Sequence, residues 1–150
     1  IALAICYDLR FPSLFQTYAM HNTHICILPA QWPQKRIDHF KKLSTARAIE
    51  NQFYFEAVNT SGSIGNTNFG GSSQLIDPFG ETLDLLPQDE EGTITETINA
   101  STVERLRNAF PVLRDQSPAS TTQPDEFRYA AANIEHRQPD QSGSQSEKES

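Results

Sequence analysis

In Ile1-Ala-Leu-Ala-Ile-Cys6-Tyr-Asp8-Leu-Arg10-Phe-Pro12 an apolar run ends in a cysteine. Charged residues follow at once, then a proline suited to the first position of a helix. A strand that delivers a reactive side chain to a tight turn before a helix is the geometry of a nucleophile elbow. Cys6 is therefore a candidate catalytic nucleophile. The competing reading is a core cysteine at a buried strand end, since free cysteine is among the most buried residue types.

Working outward, Leu14, Phe15 and Tyr18 share one face of a helix predicted from Pro12 to about His21-Asn22. Ile25-Cys-Ile-Leu28 reads as a second strand stopped by Pro29, which completes a βαβ unit. Pro29-Ala-Gln-Trp-Pro33 is then a strand-end loop, the place where layered α/β folds meet ligands. Trp32 in that loop reads either as a pocket wall or as an ordinary packed aromatic. Gln34 to Gln52 reads as a long helix burying Ile37, Phe40, Leu43, Ala46, Ala48 and Ile49. Phe53 to Val58 is a strand, and Asn59 to Gly71 a loop or wide hairpin. Ser72–Ile76 and Glu81–Leu86 are strands joined by a type I turn at Asp77-Pro-Phe-Gly80. Gly92–Ile98 reads as an edge strand. Ala100-Ser-Thr102 caps a helix with Val103, Leu106 and Ala109 or Phe110 turned inward, ended by Pro111.

The 150 residues divide into an apolar-rich part over 1–114 and a polar tail over 115–150. The tail is too poor in apolar residues to fold alone, apart from a short amphipathic helix over Glu126–His136. Twelve basic against 19 acidic residues give a net charge of −7, which argues against nucleic acid and against an anionic membrane surface as partners. Two cysteines do not make a disulfide framework. A Cys6–Cys26 bridge is one option. Reduced thiols in apolar runs are the favoured one, and they place the protein in the cytoplasm. Asn59-Thr-Ser61 and Asn99-Ala-Ser101 match the glycosylation sequon, a common chance match.

A thiolate attacks an acyl carbon, and the Tyr7 backbone N–H is placed to receive the oxyanion. None of His21, His24, His39 and His136 stands in a context that points back to Cys6, so a Cys–His hydrolase is a weaker reading. Asp8, Arg10, Arg47 and Glu50 read as an ion network supporting the turn. His21-Asn-Thr-His24-Ile-Cys26 lacks the spacing of a zinc motif, and no metal is assigned. Gly70-Gly71 reads as turn geometry rather than a phosphate loop.

The string Cys6-Tyr-Asp-Leu-Arg-Phe-Pro12 resembles the cysteine motif of the nitrilase superfamily of carbon–nitrogen hydrolases. Leu28-Pro-Ala-Gln-Trp-Pro33, Ala46-Arg-Ala-Ile-Glu-Asn-Gln52 and Gly71-Ser-Ser-Gln-Leu-Ile-Asp-Pro-Phe-Gly80 resemble further motifs of that family, in its order and spacing. The branch it looks most like is that of the omega-amidases. The resemblance implies an α/β fold, part of a four-layer α-β-β-α sandwich. It also implies a Glu-Lys-Cys site that cleaves a small aliphatic amide through a cysteine thioester, without a cofactor. Cys6 matches the nucleophile, with Gln31 and Trp32 beside the acyl pocket and Asp8, Arg10, Arg47 and Glu50 as structural support.

The family's Glu and Lys precede the cysteine. Before Cys6 stand only Ile, Ala, Leu, Ala and Ile, and Lys35, Lys41, Lys42 and Lys148 lie in no matching motif. The chain, which has no initiator methionine, therefore reads as the C-terminal portion of such a domain. Its expected partners are a small-molecule amide, the missing N-terminal half and further copies of the whole protein. Alone it is expected to be inactive. The alternative is a non-catalytic remnant or interaction module of the same fold.

Overall fold

The computed structural model describes residues 1–115. The polar tail and the helix expected over 126–136 lie outside the described residues.

The elements run β1 (Ala2–Leu3), a 3-10 turn (Cys6–Arg10), α1 (Pro12–Met20), β2 (Ile25–Ala30), a 3-10 turn (Gln34–Arg36), α2 (Ile37–Asn51), β3 (Tyr54–Asn59), the small hairpin β4 (Ser63–Ile64) and β5 (Thr67–Asn68), β6 (Gln74–Ile76), β7 (Thr82–Leu85) and α3 (Ala100–Ala109). The main sheet has the order β1-β2-β3-β6-β7. Its first three strands are parallel and its last two antiparallel. The two parallel connections pass through α1 and α2, as the βαβ pattern requires.

Strand register assigns the two faces. Ala2, Cys26, Phe55 and Ile76 form one row and Leu3, Ile27, Glu56 and Leu75 the next, so the rows point to opposite faces. The first face packs against Phe15, Phe40, Ala48 and Phe53 and forms the core. On the second face Leu3 is 66% exposed, Ile5 67% and Val58 41%. That face is uncovered at Leu3, Ile5 and Val58, whereas Leu75 on it is buried.

Pro29 does not stop β2, which continues to Ala30 with Pro29 opposite Val58. The carbonyls of His24 and Ala30 accept from β3 and from Thr60 beyond it, whereas the Ile27 carbonyl accepts from Ala4 on the β1 side. Pro29 therefore faces the β1 side, past the end of β1, where no ladder N–H is needed.

The buried side of α2 is Phe40, Ser44, Arg47, Ala48 and Asn51. Ile49, expected inside, is 51% exposed. α2 ends at Gln52 in the left-handed conformation (φ 51°), and the Gln52 side chain donates to the Phe110 carbonyl. The turn at Asp77–Gly80 forms as read, with Asp77 Oδ1 accepting from the N–H groups of Phe79 and Glu81.

No strand forms over 92–98; the segment is irregular. Its alternation of isoleucine and threonine finds no strand to pair with. The cap of α3 is Asn99 rather than Ala100 to Thr102, its side chain accepting from the Ser101 N–H at 3.0 Å. Within α3 only Val103 is buried, and Phe110 beyond its end is 64% exposed. Arg107 holds α3 to the end of the sheet, donating to the carbonyls of Thr23 (2.8 Å) and Asn51 (3.1 Å). Burial there lowers the pKa of its guanidinium.

Candidate active site

Cys6 stands at the junction of β1 and the first 3-10 turn with φ of +43°, a left-handed conformation that a side chain rarely adopts. Such strain costs about 1–3 kcal/mol and persists where surrounding bonds over-determine it. Those bonds are present. The Ile5 N–H donates to the Asp8 carboxylate at 2.8 Å, and the Asp8 N–H donates to the Ile5 carbonyl at 2.9 Å. From α2, the Arg47 guanidinium donates twice to the Leu9 carbonyl, at 3.2 and 2.8 Å, and to Glu50 at 2.6 Å. The thiol at Cys6 is partly exposed and free, while Cys26 is buried and free, so no bridge joins them.

Asp8, Arg10, Arg47 and Glu50 do not form one ion network. Asp8 is spent on its own turn, and Arg47 pairs with Glu50. Arg10 has no carboxylate partner among the described residues. Its guanidinium carbon lies 4.8 Å from the centroid of the Trp32 ring and 5.8 Å from that of Tyr7. Tyr7 is 65% exposed, and its backbone N–H has no acceptor among the described residues.

Gln31 and Trp32, neighbours in sequence, part in space: Gln31 is exposed and Trp32 is 2% exposed. The Trp32 indole donates to the Arg36 carbonyl at 2.8 Å and packs against Phe40. Its backbone is held by Asn59, which sequence reading treats only as a chance sequon. Asn59 Oδ1 accepts the Trp32 N–H at 2.6 Å, and Asn59 Nδ2 donates to the carbonyls of Gly71 (2.8 Å) and Trp32 (3.4 Å). Ser73 closes the arrangement, its hydroxyl accepting from the Asn59 N–H and donating to the Asn59 carbonyl. The signal for this role was the position of Asn59 at the end of a buried strand, where a polar side chain must find partners.

His21 lies against the Thr17 carbonyl and His24 faces Glu104, so neither approaches Cys6 by a hydrogen bond or ion pair. Burial, partly offset by the N-terminal charge, pushes the Cys26 thiol up to about 12. Lys41 and Lys42 line an open groove of about 470 Å³ with Thr45 and Gln74. A second groove, of about 580 Å³, lies between α1 and α3 and is lined by His24, Glu104, Arg107 and Arg114. Neither groove is lined by Cys6.

Residues 1–108 match the family model described as carbon-nitrogen hydrolase. The chain belongs to that family. It is 40% identical over 114 residues to a 2-oxoglutaramate amidase of Paenarthrobacter nicotinovorans, covering 76% of this chain and 38% of that protein. It resembles the structure of XC1258 from Xanthomonas campestris, a CN-hydrolase superfamily protein with an arsenic adduct in its active site. The TM-score is 0.71 and the identity 32%, over 77% of this chain and 46% of that one. It also resembles an amidase from Nesterenkonia sp. AN1 whose active-site cysteine carries the acetamide moiety of fluoroacetamide. There the TM-score is 0.55 and the identity 28%, over 58% of this chain and 33% of that one.

This carbon-nitrogen hydrolase chain thus spans about two fifths of the length of its amidase relative. α1, α2 and the main sheet are one α layer and one β layer of the α-β-β-α sandwich of the nitrilase superfamily. Among the described residues no helix is long and apolar enough to cross a membrane.

Proposed function

We propose that the whole protein to which this chain contributes is an amidase of the omega-amidase kind, with Cys6 as its nucleophile. The observation that carries this reading is the left-handed Cys6 at the head of a turn braced by Asp8 and Arg47. The covalent cysteine of the Nesterenkonia amidase and the activity named for the Paenarthrobacter relative support it.

In this reading the Cys6 thiolate attacks the amide carbonyl. The Tyr7 N–H, which has no acceptor among the described residues, stabilises the oxyanion. The tetrahedral intermediate expels ammonia, which leaves with a proton from a general acid, and a thioester remains on Cys6. Water, deprotonated by the same group, then releases the carboxylic acid and regenerates the thiol. Trp32 forms a wall of the acyl pocket and Gln31 lies at its exposed rim. Asp8, Arg47 and Glu50 hold the turn.

The general base and the oxyanion lysine come from sequence joined before Ile1. Glu50 is tied to Arg47, Glu56 sits in mid-sheet between Ile27 and Leu75, and Lys41 and Lys42 line a groove that Cys6 does not share. The same upstream sequence covers the apolar sheet face, and the whole protein self-associates. Residues 1–150 alone are accordingly inactive.

The test is ammonia release from short dicarboxylic acid monoamides. The complete protein is expected to release ammonia, and its Cys6→Ala variant and residues 1–150 alone are not. Equal release by wild type and Cys6→Ala would refute the assignment.

A further inference from the structure

We infer that Arg10 is a specificity-determining residue that receives the distal carboxylate of the substrate; this rests on the amidase reading above. The guanidinium sits against two aromatic rings and makes no hydrogen bond or ion pair among the described residues. It lies 4.8 Å from the centroid of buried Trp32 and 5.8 Å from that of Tyr7. A cation–π contact consumes no N–H donor in a conventional hydrogen bond, so the guanidinium keeps its donors for a ligand. Among the described residues no carboxylate or carbonyl takes them up. The nearby carboxylate of Asp8 is committed to the Ile5 N–H. The other cation of this region, Arg47, is by contrast engaged by Leu9 and Glu50.

Its placement suits a short bifunctional substrate. Cys6 and Arg10 occupy the two ends of one 3-10 turn. A rise of about 2.0 Å per residue separates their backbones by roughly 8 Å along its axis. The guanidinium lies 5.8 Å from the ring centroid of Tyr7, the residue that follows Cys6. In a five-carbon monoamide the carboxylate carbon lies about 5 Å from the amide carbon, from four C–C bonds of about 1.5 Å. A planar guanidinium binds a carboxylate through two parallel N–H···O bonds, which fixes the direction of the chain as well as its charge. The amide end is then presented to Cys6, and the neutral amide of equal length loses this anchor.

The experiment compares glutaramate with neutral valeramide on the complete protein, and reads the ratio of their kcat/KM values. Arg10→Met is expected to collapse that ratio by on the order of 100-fold, mainly through KM for glutaramate, whatever it does to the two absolute rates. Arg10→Lys is expected to restore part of the ratio. A ratio unchanged in Arg10→Met would overturn the inference while leaving the amidase reading intact. A second readout needs no turnover: protection of Cys6 from iodoacetamide by glutarate, compared with neutral glutaramide diamide. Stronger protection by glutarate in wild type, lost in Arg10→Met, is expected. Equal protection by the two compounds, or glutarate protection that survives Arg10→Met, would contradict the role of Arg10 even if no amide were cleaved.

Discussion

Trp32 is suspended from Asn59: its backbone N–H donates to Asn59 Oδ1 at 2.6 Å across 27 residues of sequence. The same amide group reaches Gly71, so one buried side chain ties the ends of β2 and β3 to the start of the β6 segment. Replacing Asn59 by Ala leaves the Trp32 N–H and the Gly71 carbonyl unpaired in a dry site. The expected cost is about 2–3 kcal/mol. Urea unfolding followed by the fluorescence of the single tryptophan measures it, because Trp32 is both probe and site. A midpoint equal to wild type would show that the suspension carries no weight.

Arg47 makes a second such tie, from α2 to the Leu9 carbonyl under the cysteine turn. Arg47→Lys keeps the charge but cannot donate twice to Leu9 while also reaching Glu50. A loss of about 2 kcal/mol is expected, with faster hydrogen exchange over residues 6–10. Destabilisation without any change in exchange at the turn would place the effect elsewhere.

Gly71 is in the left-handed region at φ +48°, and a Cβ there would strike the Gln88 carbonyl. The Gly70-Gly71 pair is thus explained by a turn and a close backbone approach. Gly71→Ala is expected to lower stability by more than about 1 kcal/mol and to shift the Trp32 emission, since Asn59 bonds the Gly71 carbonyl. Calorimetry and emission spectra check both.

The two thiols differ in access. Cys6 is partly exposed, whereas Cys26 is fully buried and its thiol is raised from 9.0 to about 12. In the native state near pH 8, a disulfide exchange reagent is expected to titrate Cys6 alone, and both cysteines only after denaturation. Two fast thiols in the native protein would contradict the burial of Cys26.

The same shift sets an alkaline limit. Below pH 9 both folded and unfolded Cys26 hold their proton, and the group has no pH effect on stability. Between 9 and about 12 the unfolded thiol loses its proton while the folded one keeps it, so stability falls as pH rises. Tyr18 acts in the same direction: burial, then the proximity of Cys26 and Asp8, raises its pKa above the usual 10.0. Cys26→Ala should flatten the decline measured by urea unfolding between pH 8.5 and 10.5. An equally steep decline in that variant would assign it to other groups.

Much of this arrangement can be read in the residues. Pro12 marks the start of α1, the motif order places the cysteine turn, and Asp77 to Gly80 specifies its hairpin. What escapes a linear reading is polar or depends on a neighbour. The buried side of α2 includes Ser44, Arg47 and Asn51, which an apolar periodicity does not register, so that periodicity points Ile49 inward in their place. Pro29 is admitted to β2 only because β1 is short, a fact of another segment. The threonine and isoleucine alternation over 92–98 had no strand to pair with. The charge of Arg10 suggests an ion network, whereas its contacts are aromatic rings.

The most direct test of Cys6 as nucleophile is acid quenching of the complete protein during turnover of an ω-amide, followed by mass spectrometry of the peptide that holds Cys6. An acyl group bound as a thioester on Cys6, absent from Cys26 and discharged by hydroxylamine, is the expected result. Steady hydrolysis with Cys6 unmodified and replaceable by Ala would contradict it.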